Sequence, residues 1–311
     1  MPRVDTHAHV LPATYIEALP PQLAATHRPL PVEALDAVMR RYAIDAAVVS
    51  AGPPGVFFGD QSQAGELARI LNEELSGVVR GAPQRFAALA SLPLPDVGAA
   101  VAELGHALDV LGLDGVMLLS QVAGLYLGDP SLEPLLTELD RRAAYVFVHP
   151  TFPPNGQPLS HPIWLYEFPF ETTRAIASLI YSGAFERHPN IRWQFAHLGG
   201  TAPFIAPRLA SLAEREPDQA ASAPAGALAY LARQYYDTGL SNHRSAVEAA
   251  LQVVPFDHVV FGTDWPYLAL PDGDDIAPEL SYLGTERRAL LEGEHARALV
   301  PRLFISGDSG H

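Results

Sequence analysis

The chain of 311 residues contains no cysteine and no lysine; all 20 of its basic residues are arginine. Without cysteine there can be no disulfide, no thiolate metal ligand and no cysteine nucleophile. Without lysine there can be no Schiff base on the protein, no lysine general base and no carbamylated lysine bridging two metal ions. Positive charge is also scarce, since 35 acidic residues leave a formal net charge of -15. A duplex-binding surface has to be basic, so nucleic acid is not an expected partner. A small anionic ligand remains possible, because a bound cation reverses the local potential. Long uncharged apolar runs are missing, so no membrane-spanning segment is expected. The N-terminus lacks the basic-then-apolar pattern of a signal peptide, and a cytoplasmic location is the simplest expectation. The GxGxxG dinucleotide fingerprint and the GxxxxGK[ST] phosphate loop are absent as well.

What is present is an alternation of short apolar runs with longer helical ones. The runs predict strands at 4–10, 46–51, 86–92, 115–119, 145–149, 191–197, 235–238 and 258–262. Helical periodicity predicts helices near 32–41, 61–80, 97–111, 132–142, 171–186, 202–213, 225–232 and 244–253, with 285–290 and 294–300 closing the chain. Eight strand–helix repeats fit an α/β fold of the (β/α)₈ barrel type. The near-continuous apolar character of the strands fits a parallel sheet covered on both faces. An open doubly wound sheet is the competing architecture. No domain boundary is evident, so residues 1–311 read as one domain. Phe152–Pro162 reads as a loop over the barrel mouth, 214–224 as an exposed surface loop, and the tail from Ile305 as frayed.

The first strand carries RVDTHAHV. Alternation along a strand puts Asp5, His7 and His9 on one face, and two adjacent imidazoles can grip a metal ion. Alone, an HxH pair is weak evidence. Further candidates sit at later strand ends: His149 in VFVHP, His197 in FAHLGG and Asp264 in FGTDWP. In a barrel those ends share one rim, so the five side chains converge despite their separation in sequence. Nitrogen and carboxylate donors suit Zn²⁺, with Mn²⁺, Fe²⁺ and Co²⁺ as alternatives. His106 and His188 read as surface residues, His258 as structural, and His161 and His243 as minor site candidates.

With these residues in view, the chain resembles the amidohydrolase superfamily, in its metal-dependent decarboxylase-like branch. The resemblance spans nearly the whole chain and rests on DTHAH, VHP, AHLGG and GTDWPY, supported by RFAALASLPLPD and ETTRAIASLIYSGAFERHPNIR. It implies a distorted, amidohydrolase-like TIM barrel with one divalent metal ion, Zn²⁺ or Mn²⁺, on His7, His9, His149 and Asp264. It implies catalytic roles for His197 and Asp264, with Asp264 delivering a proton. The implied reaction is non-oxidative decarboxylation of a small hydroxylated aromatic or related unsaturated carboxylic acid. Hydrolysis of a lactone or amide, or hydration, is the alternative on the same metal rim; an inactive ligand-binding scaffold is the remote one. A homodimer is also implied, with helix 171–186 and the loop before it as the shared face.

Aromatic residues near the strand ends suit a flat ring. Phe57, Tyr126, Trp164, Tyr166, Phe170 and Trp265 are therefore expected in the pocket or just behind it, together with Glu171 and Arg174. Arg174 is expected to pair with Glu171 rather than with substrate.

Overall fold

A computed structural model describes residues 1–154 and 159–305. Eight parallel strands follow one another in sequence order: β1 (Val4–His9), β2 (Ala46–Ser50), β3 (Phe86–Ser91), β4 (Gly115–Leu119), β5 (Tyr145–His149), β6 (Arg192–Phe195), β7 (Tyr235–Asp237) and β8 (Val259–Val260). Strand β8 meets β1 through three backbone hydrogen bonds near its C-terminal end: Thr6 N to Phe261 O (2.8 Å), Asp264 N to His7 O (2.8 Å) and His9 N to Trp265 O (2.9 Å). The result is a nearly closed barrel with helices in the crossovers, the architecture expected from the eight repeats.

Two apolar clusters explain why the chain closes in this way. Val4, Val48, Leu89, Met117, Phe147 and Val260 fill the interior, and Leu299, Val300 and Leu303 cover its lower end. Outside, Ala8, Val49, Ala88, Leu118 and Val148 pack against helix residues such as Leu35, Leu75, Leu104, Leu139 and Ile176. The helix Gln61–Gly81 shows the local logic. Asp60 caps it by accepting from Gln63 N at 3.1 Å. Its buried positions 64, 67, 68, 71, 72, 75, 76 and 79 recur every three or four residues and form one inward face.

Several elements differ from expectation. The helix predicted from Glu171 begins at Glu167 and runs to Tyr181; Gly183, at φ +77°, separates it from the short helix Ala184–Arg187. Phe168 and Phe170 are therefore helical. The run 97–111 is an α-helix only over Val97–Gly105 and continues as a π-helical turn, His106–Val110. The segment 214–224 is not wholly exposed, since it contains the helical turn Pro217–Ala220 and buries Ala220 and Ala223. His188 is buried, with Nε2 2.9 Å from Glu133 Oε1, so it is no surface residue. The helices Ala13–Ala18 and Pro21–Ala24 had no predicted counterpart. Part of the proline-rich loop, residues 155–158, and the tail beyond 305 lie outside the described residues.

Strand β1 carries an irregularity that matters for the site. Val4 and Asp5 pair with Ala46 and Ala47, but Ala8 and His9 pair with Val49 and Ser50. One extra residue is inserted in between, which switches the facing of the strand. Simple alternation would have grouped Asp5 with the two histidines. Instead its carboxylate accepts from Thr263 Oγ1 (2.6 Å), Thr263 N (3.0 Å) and His7 N (3.0 Å), tying β1 to the segment after β8.

Phe147 lies inside the barrel, fully buried, with its ring centroid 4.7 Å from that of His7. Truncating such a ring removes apolar burial and leaves a cavity. Phe147→Ala is expected to lower unfolding free energy by about 3–5 kcal/mol, measured by urea denaturation with an unchanged m-value. A loss under about 1 kcal/mol would show that the ring does not support the floor of the site.

Candidate active site

The C-terminal rim of the barrel collects five side chains from four places in the chain. Around a common point, His9 Nε2 lies 2.9 Å from Asp264 Oδ1, His7 Nε2 lies 3.1 Å from the same oxygen, and the two Nε2 atoms are 3.2 Å apart. His149 Nε2 is 4.0 Å from Asp264 Oδ1. His197 Nε2 approaches the other carboxylate oxygen, Oδ2, at 3.1 Å. All five residues are buried.

Backbone geometry aims these groups inward. Asp264 (φ +59°) and His197 (φ +56°) occupy the left-handed region, which non-glycine residues seldom adopt. The surrounding hydrogen bonds hold them there: Asp264 N donates to His7 O, and His197 N donates to Asp237 Oδ1 at 3.2 Å. Gly239 and Gly52 clear space. A Cβ on Gly239 would stand 2.8 Å from His7 Nδ1, and one on Gly52 2.7 Å from the His9 ring.

The tautomers follow from the partners. His7 Nδ1 lies 3.0 Å from Asp237 Oδ1, and His149 Nδ1 lies 2.7 Å from Pro150 O. Each Nδ1 therefore donates outward and leaves Nε2 facing the rim, the arrangement by which carboxylates and carbonyls orient metal-binding imidazoles. Burial pushes the His149 imidazole down to about 3, so it is neutral. Burial also opposes charge on His7, but Asp237 and Asp264 outweigh it and push this imidazole up to about 10. Burial likewise disfavours the Asp264 carboxylate, yet His7 and His197 hold it well below the usual range.

The donor set fits a metal ion. One donor atom from each of His7, His9, His149 and Asp264 lies within 4.8 Å of every other. Donors bound about 2.0–2.2 Å from one cation stand roughly 3–4 Å apart. Among the described residues His149 Nε2 has no hydrogen-bond partner although it is buried. A lone pair directed into a shared centre accounts for that orphan; a packing role does not.

Asp237 was not singled out from the sequence. Besides His7 and His197 N it accepts from Gly239 N (2.9 Å) and from Gln194 Nε2 (2.8 Å, at Oδ2). Its signal was an acidic residue at the end of a predicted strand, in YYDTG. The aromatic expectations divide. Tyr126 donates to Glu171 Oε1 (2.9 Å), and Arg174 donates to the same oxygen (2.5 Å), so this trio satisfies itself. Phe57 lines a cavity beside the rim. Trp265 is buried in the outer core. Trp164 and Phe170 are about half exposed, and Tyr166 accepts from Leu159 N at 2.8 Å; none of the three is placed against the histidines. Tyr267 is, with its ring 5.7 Å from that of His9. His161 and His243 are exposed and stand outside the cluster.

The family profile described as Amidohydrolase matches residues 4–301. The chain belongs to the amidohydrolase family. Among relatives of this amidohydrolase, the 6-methylsalicylic acid decarboxylase of Aspergillus aculeatus is 29% identical, over 97% of this chain and 96% of that protein. The 2-amino-3-carboxymuconate-6-semialdehyde decarboxylase of Dictyostelium discoideum is 34% identical over 74% of this chain and 65% of its own length. In fold, the 5-carboxyvanillate decarboxylase of Novosphingobium aromaticivorans superposes with a TM-score of 0.82 at 18% identity, covering 96% of each chain; that crystal structure holds manganese and 4-hydroxy-3-methoxy-5-nitrobenzoic acid.

The charge state of His7 makes a measurable prediction for the amidohydrolase. Without metal, its Nε2 proton sits where a cation would be held, so binding must expel it. Below a pKa of about 10, lowering the pH favours the protonated ring and opposes the cation; raising the pH does the reverse. Apparent affinity for Zn²⁺ or Mn²⁺ should rise about tenfold per pH unit through the neutral range. Calorimetry in buffers of different ionisation enthalpy should read about one proton released. An affinity independent of pH would contradict this charge assignment.

Proposed function

We propose that this amidohydrolase is a metal-dependent, non-oxidative decarboxylase of a small hydroxylated aromatic acid, acting in the cytoplasm as a homodimer. The observation that carries the reading is the cluster of three imidazoles and one carboxylate, the one such group among the described residues, in a chain without lysine. It suits one ion and offers no bridging ligand for a second. The relatedness to 6-methylsalicylic acid decarboxylase over almost the full length of both chains supports the reaction class. His7, His9, His149 and Asp264 would hold the ion; their three nitrogens and one oxygen suit Zn²⁺, with Mn²⁺ as the other candidate.

Once bound, such a cation supplies positive charge that orients and polarises the substrate carboxylate and its neighbouring phenolic oxygen. The rest of the chemistry is proton handling by the protein. Asp264 is held as a carboxylate, so it must receive a proton before it can give one. His197, 3.1 Å from Oδ2, and the phenolic hydroxyl of the substrate are the two sources within reach. Asp264 then protonates the ring carbon that bears the carboxylate. That bond breaks aromaticity. Scission of the C–C bond releases CO₂, returns its electron pair to the ring and restores aromaticity. The added proton stays on carbon, so the reaction consumes one proton and needs no redox partner. Asp237 fixes the His7 tautomer throughout, and burial of the cluster keeps bulk water from supplying protons at random.

The test is a panel of hydroxybenzoates, a muconate semialdehyde, and lactones and amides of similar size. CO₂ release and, in D₂O, one deuterium at the former carboxylate position are expected. Asp264→Asn should lower kcat and kcat/KM together by about 10²–10⁴-fold, with metal content followed in parallel. His7→Ala should lose the ion, read by elemental analysis. Rapid lactone or amide turnover with no CO₂ from any acid would replace this reading with hydrolysis. For assembly, the exposed Trp164, Leu165 and Phe170 beside helix Glu167–Tyr181 supply an apolar face; light scattering at micromolar protein should give twice the chain mass, and a monomer would reject the dimer.

A further inference from the structure

Asp237 is fully buried, and so are Gln194 and Tyr145 behind it. A barrel interior holds polar side chains only where each has a bond to make. The directions of these bonds follow from main-chain groups, whose roles are fixed. Gln194 Nε2 lies 3.3 Å from Thr6 O, and a carbonyl only accepts, so this end of the amide is the nitrogen. It also donates to Asp237 Oδ2 at 2.8 Å. The carbonyl end of Gln194 therefore points at Tyr145, whose hydroxyl must donate to Oε1 (2.7 Å). Asp237 Oδ1 faces two main-chain N–H groups, His197 N (3.2 Å) and Gly239 N (2.9 Å), so it accepts from both and from His7 Nδ1 (3.0 Å). A missing side chain keeps room for the last of these bonds: a Cβ on Gly262 would stand 2.8 Å from His7 Cβ and 2.9 Å from Asp237 Cβ.

The two histidines that meet at Oδ1 have different work. His7 is one of the four metal-competent donors. His197 opens a turn in which it and Leu198 both have positive φ, +56° and +52°. Such backbone is costly for residues with a Cβ and persists only where its surroundings hold it. This turn is held at both ends. Asp237 takes the N–H of His197, and Thr173, on the helix Glu167–Tyr181, takes the N–H of Thr201 at 2.9 Å. The Thr173 hydroxyl is aligned by donating to Pro169 O (2.7 Å). Thr173 thus bonds the turn and its own helix, whereas Asp237 is shared between the turn and His7.

Taking His7 as a holder of the ion and His197 as a handler of the proton, which rests on the decarboxylase reading, we propose that Tyr145, Gln194 and Asp237 form one positioning relay that couples metal binding to proton transfer through a single atom, Asp237 Oδ1. All three act through His7 and His197 rather than on a substrate. The isosteric change Asp237→Asn sets a donor against Gln194 Nε2. Either Gln194 turns over and loses Thr6 O, or the new carboxamide rotates and loses the bonds at Oδ1. Tyr145→Phe leaves Gln194 Oε1 unsatisfied and frees the same amide to turn.

Three readouts test the relay. Zn²⁺ affinity of the metal-free chain is measured by competition with a chromophoric chelator. The kcat of the fully loaded enzyme is measured on a hydroxybenzoate. The His7 Nδ1–H and His197 amide proton resonances of the zinc-loaded protein are followed by NMR. Asp237→Asn should weaken Zn²⁺ binding about 10–100-fold, lower kcat about tenfold and shift both resonances. Tyr145→Phe should move all three readouts in the same direction, with affinity and kcat falling about threefold. Thr173→Val should lower kcat about fivefold and shift the His197 amide alone, with Zn²⁺ affinity kept within about twofold, and Thr173→Ser should restore kcat. A merely structural role would lower the melting temperature without this split. A change in only one of affinity and kcat in Asp237→Asn, or a Tyr145→Phe variant equal to the unaltered chain in every readout, would overturn the relay. Should Asp237→Asn fail to fold, Tyr145→Phe decides by itself. If no acid releases CO₂ the decarboxylase reading fails separately. Zn²⁺ affinity and the two resonances then still decide: both resonances shifted with weaker binding supports the relay, and one shifted alone overturns it.

Discussion

A carboxylate buried to the extent of Asp264 stays ionised only if cations or hydrogen-bond donors surround it. In this chain the surroundings are His7, His9 and His197, brought from β1 and from the end of β6. Much else in the structure serves that one arrangement. The left-handed backbone at Asp264 and His197 turns both side chains toward each other. Asp5, displaced from the histidine face by the insertion in β1, locks β1 to Thr263, immediately before Asp264. Asp237 holds His7 from behind while Gln194 holds Asp237. Each support is itself buried and bonded, so loosening one would leave an unsatisfied charge rather than a merely weaker contact.

The barrel and the convergence of three histidines and an aspartate on its rim were legible in the sequence for a physical reason. Strands buried on both faces must be apolar, so a polar residue that ends such a strand, like His149 in YVFVH, stands out. His197 and Asp264 stand out in the same way just past the ends of β6 and β8. Less legible was whatever depended on register. Alternation placed Asp5 beside His7 and His9 because a one-residue insertion inside β1 leaves no trace in residue type. Asp237 was missed since one aspartate after two tyrosines reads equally well as a turn residue. The start of the helix at Glu167 was hidden by Pro169, which is tolerated in a first helical turn but reads as a loop residue in a proline-rich context. The aromatic residues were the least predictable. Trp164 and Trp265 have the same composition signal, yet one is exposed and the other packs into the core.

The three parts of the rim divide the electrostatic work. Strands β1 and β5 and the turn after β8 bring the metal-competent donors. Strands β6 and β7, with the turn after β6, bring the groups that orient them: His197, Gln194 and Asp237. Strands β2, β3 and β4 bring no charge to the rim cavity at all. This separation bears on a difficulty posed by the composition, which is that a protein of net charge -15 should repel an anionic acid. Exposed acidic residues act through water and salt and are screened within about 8–10 Å. The cluster is buried, where screening is weak and a divalent cation held there would outweigh the single charge of Asp264. Attraction is therefore confined to the few ångströms around the donors, and the neutral walls of β2–β4 neither add to it nor compete for it.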